Sequence, residues 1–415
     1  MKVNRFLVGC ILVLLVMCII LSGLLLKDAL LKKNNTEDTA VAVPTTEPVN
    51  TDAVTEATPE TTEPDPGVTT ITVALYPALP DLNMAQNTLA QMWAEMEPDV
   101  ELEFVYWDCY DDPYPHGIDV IVYDAVFLNY LVENFLIYPL DPNGLADTTG
   151  ILSFTMEGAR YDGDLYGLPV LACSNYLIHY TEDEEMMQVE NFEQLYELLS
   201  LRKSWYSSDG LQINVSDFGS SFYLDALIDY TGTYTTYDDL NALYPPVSDV
   251  VEQLHAINTL IPEPADYIRG RSYTTRFARG EGSACYSFSE SLYDMKDILD
   301  QLTIRPISFF DGENIPMYYT DIASIGSHVM DPDKYDLCMK LVNLLGSVEY
   351  QAELCFGNGD VQYLLPAREQ VYLAAMEQYP MYGRLYELVM DEDNRISRFS
   401  KDVYTYYGKD SYNWE

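Results

Sequence analysis

Positive charge is what this chain of 415 residues has least of: 22 Lys and Arg stand against 66 Asp and Glu, a formal net charge of -44. So acidic a surface repels phosphate backbones, which excludes nucleic acid and anionic membrane surfaces as partners of the folded part and favours a cationic ligand. Histidine is nearly as scarce. His116, His179, His255 and His328 are the only four, and they form no paired zinc spacing and no metalloprotease helix motif. A phosphate-cradling loop ending in Gly-Lys-Ser/Thr is missing too, and so is any internal repeat of about 20 to 50 residues. Neither a metal nor an organic cofactor is expected.

Aromatic residues are lacking from about Asn34 to Thr70, where Thr, Pro, Glu and Ala dominate. Such a stretch cannot bury enough apolar area to offset its ordering entropy, so residues 34–69 read as a disordered tether. Before it, Phe6 to Leu26 carry no charge, and about 21 apolar residues suffice to cross a bilayer as one helix. A short apolar core and a small-residue cleavage site are not evident, so residues 1–33 read as an uncleaved anchor rather than a removed signal. The expected location is the cell surface, or secretion if the segment is cleaved. Of seven cysteines, Cys10 and Cys18 fall in this run, leaving Cys109, Cys173, Cys285, Cys338 and Cys355. Outside the cell an odd count leaves at least one thiol unpaired, and all five free is equally open.

The remainder, 70–415, alternates strand-like and helix-like runs. Thr70 to Tyr76 is rich in β-branched residues, and Leu89, Met92, Trp93 and Met96 give the helix after it one apolar face. Runs at Glu101 to Trp107 and Asp119 to Tyr123 read as strands, with helix from about Ala125 to Asn134. That order is the pattern of a parallel or mixed sheet covered by helices, in which ligands sit beyond the carboxyl ends of strands. Tyr76, Asp108, Tyr110 and Asp124 fall at such ends. Asp162-Gly163 between short strand-like runs predicts a tight hairpin. Leu171 to Tyr180 then reads as one buried strand, with Cys173 near its start and Pro169 limiting pairing before it. Helices near 192–201 and 248–261 predict a second α/β lobe, and Ser283 to Ser291 reads as strand into helix, capped by Ser289.

On one continuous strand, Cys173 and His179 would share a face about 20 Å apart, too far for a local Cys-His dyad. Carboxylates with positional arguments are Asp124, Asp321 and Glu290, and many of the 35 tyrosines lie near them. Aromatic faces beside acids suit a flat cationic ligand, though aromatic-rich sugar clefts share that signature.

The ordered stretches VALYP (73–77), WDCY (107–110), IDVIVYDAVFL (118–128), DLYGLPVLACSN (164–175), YLDALIDYTGTYTTY (223–237), FSES (288–291), IPMYYTD (315–321) and QYLLPAREQVY (362–372) resemble thiaminase I (thiamine pyridinylase). The resemblance implies an α/β, two-lobed fold like that of periplasmic binding proteins (type II, maltose-binding-like) with a central interlobe cleft. It implies a transferase that moves the pyrimidinylmethyl group of thiamine from its thiazole to an organic base or thiol through a cysteine-bound intermediate. By position, Cys173 is the nucleophile and Glu290 the base, Asp124 and Asp321 bind the aminopyrimidine, and Tyr76, Tyr110 and Tyr319 line the cleft. Thiamine and a small nucleophile are the implied partners, and the chain is expected to be a monomer. Phe288 stands where the family has Tyr, Asp217 to Ser221 replaces a Gly-Gly-Thr-Thr-like stretch, and an anchor replaces a simple secretion signal. The alternative is a tethered solute-binding protein for thiamine, a pyrimidine or a saccharide. It would need neither Cys173 nor Glu290.

Overall fold

The computed structural model describes residues 69–391 and 395–396, apart from 111, 203–209, 214, 233–246, 262–271, 313 and 315, with backbone alone at 215–220, 272, 358 and 395–396. The anchor, the tether, most of the Asp217 to Ser221 side chains, the 233–237 part of the YLDAL stretch and the C-terminal residues beyond 396 lie outside the described residues. Among the described residues no helix is long and apolar enough to cross a membrane.

The strands in chain order are β1 (Thr69–Ala74), β2 (Val100–Phe104), β3 (Val120–Asp124), β4 (Arg160–Tyr161), β5 (Asp164–Leu165), β6 (Leu168–Cys173), β7 (Asn175–Tyr180), β8 (Leu211–Gln212), β9 (Ala284–Phe288), β10 (Leu302–Arg305), β11 (Met317–Ile325), β12 (Leu365–Pro366) and β13 (Arg395–Ile396). They form two main sheets. The first runs β12-β6-β11-β3-β1-β2, with β13 beside β11, and the second runs β10-β7-β9-β8. In the first, β1 pairs in parallel with β2 and β3, while β11 is antiparallel to both β3 and β6. Every residue of β3, β6 and β11 is buried, as strands covered on both faces require.

The Asp-Gly hairpin forms as expected: β4 pairs with β5 across Asp162 and Gly163, whose φ values of 50° and 89° are those of a tight primed turn. Gly167 then lets the chain press against β11, since a Cβ there would lie 2.6 Å from the Ser324 hydroxyl. Pro169 has the consequence its missing amide predicts. The β6–β11 register shifts there, with Asp321 opposite Leu171 and Ile322 opposite Pro169, leaving Val170 as a bulge.

The expected single strand from Leu171 to Tyr180 is two. It breaks at Ser174, where β6 leaves the first sheet and β7 enters the second. The Ser174 hydroxyl donates to the Met317 carbonyl (2.7 Å), and its own carbonyl accepts the Ser289 amide (2.9 Å), so this residue is shared by both sheets. The spacing estimate for His179 therefore does not apply. That residue is buried in the second sheet, with Nδ1 3.0 Å from the Tyr180 carbonyl. A second correction concerns Ser289. The helix after β9 is a 3₁₀ turn (Ser289–Met295) whose cap position is Phe288, with no side-chain cap bond, and the Ser289 hydroxyl lies 3.2 Å from a Glu290 carboxylate oxygen instead. Cys109, Cys173, Cys285, Cys338 and Cys355 are all free and buried.

Candidate active site

The site is assembled by register. Cys173, the last residue of β6, lies directly opposite Tyr319 of β11; two residues on, Asp321 lies opposite Asp124, the last residue of β3. Alternation of side chains puts these four groups on one face, with directly opposed Cβ atoms about 5 Å apart. That face is at the carboxyl ends of β1, β3 and β6, where Tyr76 follows β1.

Tyr76 and Tyr110 join the constellation through their hydroxyls, 3.0 Å apart, and Tyr110 donates to Asp124 Oδ2 at 2.8 Å. The other Asp124 oxygen accepts the Val126 amide (3.0 Å), so this acid caps the short helix Ala125–Phe127 as well as facing the cleft. Glu290 arrives from the second lobe. The Ser289–Ser174 backbone bond and the Asn175–Phe288 pairing seat its 3₁₀ turn beside the sheet crossing. Its carboxylate reaches the Cys173 thiol within hydrogen-bond distance. The six residues that the resemblance names beside Cys173 thus share one cluster with its thiol. Where the family hydroxyl is missing, the Phe288 ring packs edge-on against Tyr319 at 5.9 Å.

Among the described residues no cation is among the groups that shift Asp124 or Asp321. Burial, then the hydrogen-bonding amide and phenol working against it, then the Glu290 charge, leave Asp124 pushed up to about 7. Asp321 is driven well above the carboxylate range by burial, by Asp124 and by Glu290. The Cys173 thiol is raised by burial and by Glu290, Asp321 and Asp124, and the Tyr76 phenol by burial and the same groups. At neutral pH the raised thiol keeps its proton, and Asp124, pushed up to about 7, shares the opposed pair between protonated and ionised forms. Such a pair both donates and accepts hydrogen bonds, which suits a ligand with an amidine-like edge of alternating donors and acceptors. Among the described residues no cluster of three or more His, Cys, Asp or Glu is arranged to hold a metal.

Asp225 was not singled out from sequence. It accepts from Asn175 Nδ2 (2.6 Å) and from the Tyr319 hydroxyl (3.1 Å), and burial pushes its carboxyl up to about 7. One signal was available: it is the single charge between Phe222 and Ile228, an otherwise apolar run buried throughout.

With that geometry in hand, comparison with known proteins is specific. Residues 174–310 match the Thiaminase-1 domain. Thiaminase-1 of Paenibacillus thiaminolyticus is 35% identical over 351 residues, 81% of this chain and 85% of that protein. Clostridium botulinum thiaminase I, solved in complex with thiamin, superposes with a TM-score of 0.75 at 28% identity, covering 81% of this chain and 96% of the other. Maltose-bound MalE3 of T. maritima shares the fold alone, with a TM-score of 0.61 at 13% identity over 82% of this chain and 98% of its own. The fold is therefore the α/β, two-lobed, maltose-binding-like one, and the chain belongs to the thiaminase I family.

Proposed function

We propose that this protein is a thiamine pyridinylase, using Cys173 as nucleophile and Glu290 as base. The observation that supports this most is the contact of a protonated, buried thiol with a carboxylate from the other lobe, beside a paired acid face. A solute-binding protein has no use for such a pair, and the fold by itself does not choose between the two functions.

Chemically, the resting thiol is inert, because only the thiolate attacks. A thiazolium cation entering a site that holds Asp124, Asp321 and Glu290 favours the anionic form, and Glu290 is placed to take the proton. Asp124 and Asp321 hold the aminopyrimidine edge, with Tyr76, Tyr110 and Tyr319 as walls. The thiolate adds to the pyrimidine ring, and the bond from the methylene carbon to the thiazole nitrogen breaks with its electron pair on the thiazole. With the neutral thiazole gone, Glu290 releases that proton to solvent. An amine or thiol then gives a proton to Glu290 and bonds to the methylene, and the expelled Cys173 thiolate takes this proton back from Glu290, restoring the resting pair. Splitting one displacement into two steps lets a single carboxylate serve both.

The 1–33 segment would act as membrane anchor and 34–69 as tether, holding a monomeric catalytic domain outside the cell; the uncharged run Phe6 to Leu26 and the Thr/Pro/Glu-rich composition support that placement. The function is tested by incubating the protein with thiamine and aniline or pyridine and following the exchanged product by mass spectrometry. Product formation is expected. Thiamine binding without product from any acceptor would establish the solute-binding alternative.

A further inference from the structure

Asp225 lies on the helix Val215–Thr231, outside the catalytic face, yet it touches both sides of the sheet crossing. Its Oδ1 accepts the hydroxyl of Tyr319, the β11 residue opposite Cys173, and its Oδ2 accepts the amide of Asn175, the first residue after the crossing at Ser174. Around it stand Asp229 on the same helix, whose charge raises it, and Tyr286 of β9, whose phenol feels both acids. Among the described residues no Lys or Arg is among the groups that shift it. A buried carboxylate without a cation is costly for folding unless its hydrogen bonds serve something else.

We propose that Asp225 is a positioning residue: it fixes the Tyr319 ring against Cys173 and ties that ring to the strand crossing that brings Glu290 to the thiol. This rests on the thiaminase reading. Substrate then meets a wall already in place, and the ring does not have to be ordered at each turnover. The second bond matters as much as the first. Through Asn175, which pairs with Phe288 two residues before Glu290, the same carboxylate bears on the arm that carries the base.

A double-mutant cycle on the full chain decides it, with Asp225→Ala, Tyr319→Phe and the pair, assayed for thiamine–aniline exchange and titrated with thiamine. Each single change is expected to lower kcat/KM by about tenfold to a hundredfold, the scale of a misplaced positioning group. The double variant is expected to be no worse than Asp225→Ala alone, because that change already severs the link that Tyr319→Phe removes. Asp225→Asn keeps an acceptor for Tyr319, and rotation of the Asn175 amide presents its oxygen, which makes no hydrogen bond in the structure. That variant is expected to stay within about threefold of wild type. Should Asp225→Ala fail to fold, Asp225→Leu fills the same space and takes its place in the cycle. Losses that multiply in the double variant, wild-type kcat/KM in Asp225→Ala, or failure of Asp225→Asn to rescue would each overturn the assignment. If wild type yields no exchanged product, the thiaminase reading fails by itself, and the cycle read on thiamine affinity still judges whether Asp225 acts through Tyr319.

Discussion

Two aspartates at opposite ends of β3 are equally buried and electrostatically opposite. Asp119, just before the strand, is 1% exposed and receives the Thr72 amide (2.9 Å), the Thr72 hydroxyl (3.0 Å), Lys334 Nζ (2.8 Å) and His328 Nε2 (3.1 Å). Burial works to raise its pKa, but Lys334 and Thr72 outweigh burial and hold it below the usual carboxylate range. Asp124, at the other end, is 2% exposed, has no cation among the described residues that shift it, and rises to about 7. One strand thus carries a carboxylate satisfied for stability and another left hungry for a ligand. Perturbed acids concentrated at one end of a sheet mark the end that works on substrate.

The comparison can be broken most sharply at Glu290, which has no counterpart at the Asp119 end. Glu290→Gln keeps the shape and removes the base, so kcat is expected to fall by about 10²- to 10⁴-fold, the range for a lost general base, with thiamine affinity retained. Stopped-flow or steady-state exchange with aniline, alongside calorimetric titration, measures both. Full activity in this variant would place the base elsewhere.

Next in size is the pair of isosteric changes at the two ends. Asp124→Asn should lower kcat/KM by about tenfold to a hundredfold through loss of one of the paired acids that hold the substrate edge, with no loss of thermal stability. Asp119→Asn should do the reverse, destabilising the fold by about 2 kcal/mol through its charged hydrogen bonds while leaving kcat intact. The same two residues set opposite pH trends, which are the smallest effect expected. A raised folded-state pKa means the native state binds the proton more tightly than the unfolded chain. Stability from Asp124 and Asp225 is therefore present below the usual carboxylate range and is lost as pH rises through about 7. Asp119, being depressed, contributes stability above that range that disappears only on acidification. Thermal midpoints recorded between pH 5 and 8 should decline for wild type and decline less steeply in Asp124→Asn, where Asp225 still titrates; an unchanged slope would mean Asp124 is not raised by its surroundings.

Local rules made much of this legible in the sequence. Asp162-Gly163 declared its turn, Pro169 its defect in pairing, and β-branched runs the strands whose ends carry Tyr76 and Asp124. The thiol–glutamate pairing came from family resemblance, since no local rule connects residues in different lobes. Ser174 escaped because an apolar run looks the same whether it stays in one sheet or crosses between two, and only the partners at Met317 and Ser289 decide. Ser289 misled because cap chemistry favours Ser at a helix start, yet here its hydroxyl is 3.2 Å from Glu290. Asp225 shows in the sequence only as a lone charge in an apolar run, and its partners Asn175 and Tyr319 are far away along the chain.

The central claim is that Cys173 becomes covalently bonded to the pyrimidine during turnover. Rapid quench of the enzyme with thiamine and no acceptor, followed by intact-mass and peptide mass spectrometry, tests it directly. The account predicts a pyrimidinylmethyl adduct on the Cys173 peptide that disappears when aniline is added and is absent in Cys173→Ser. An adduct on Cys109 or another thiol, or undiminished exchange by Cys173→Ser, would contradict it.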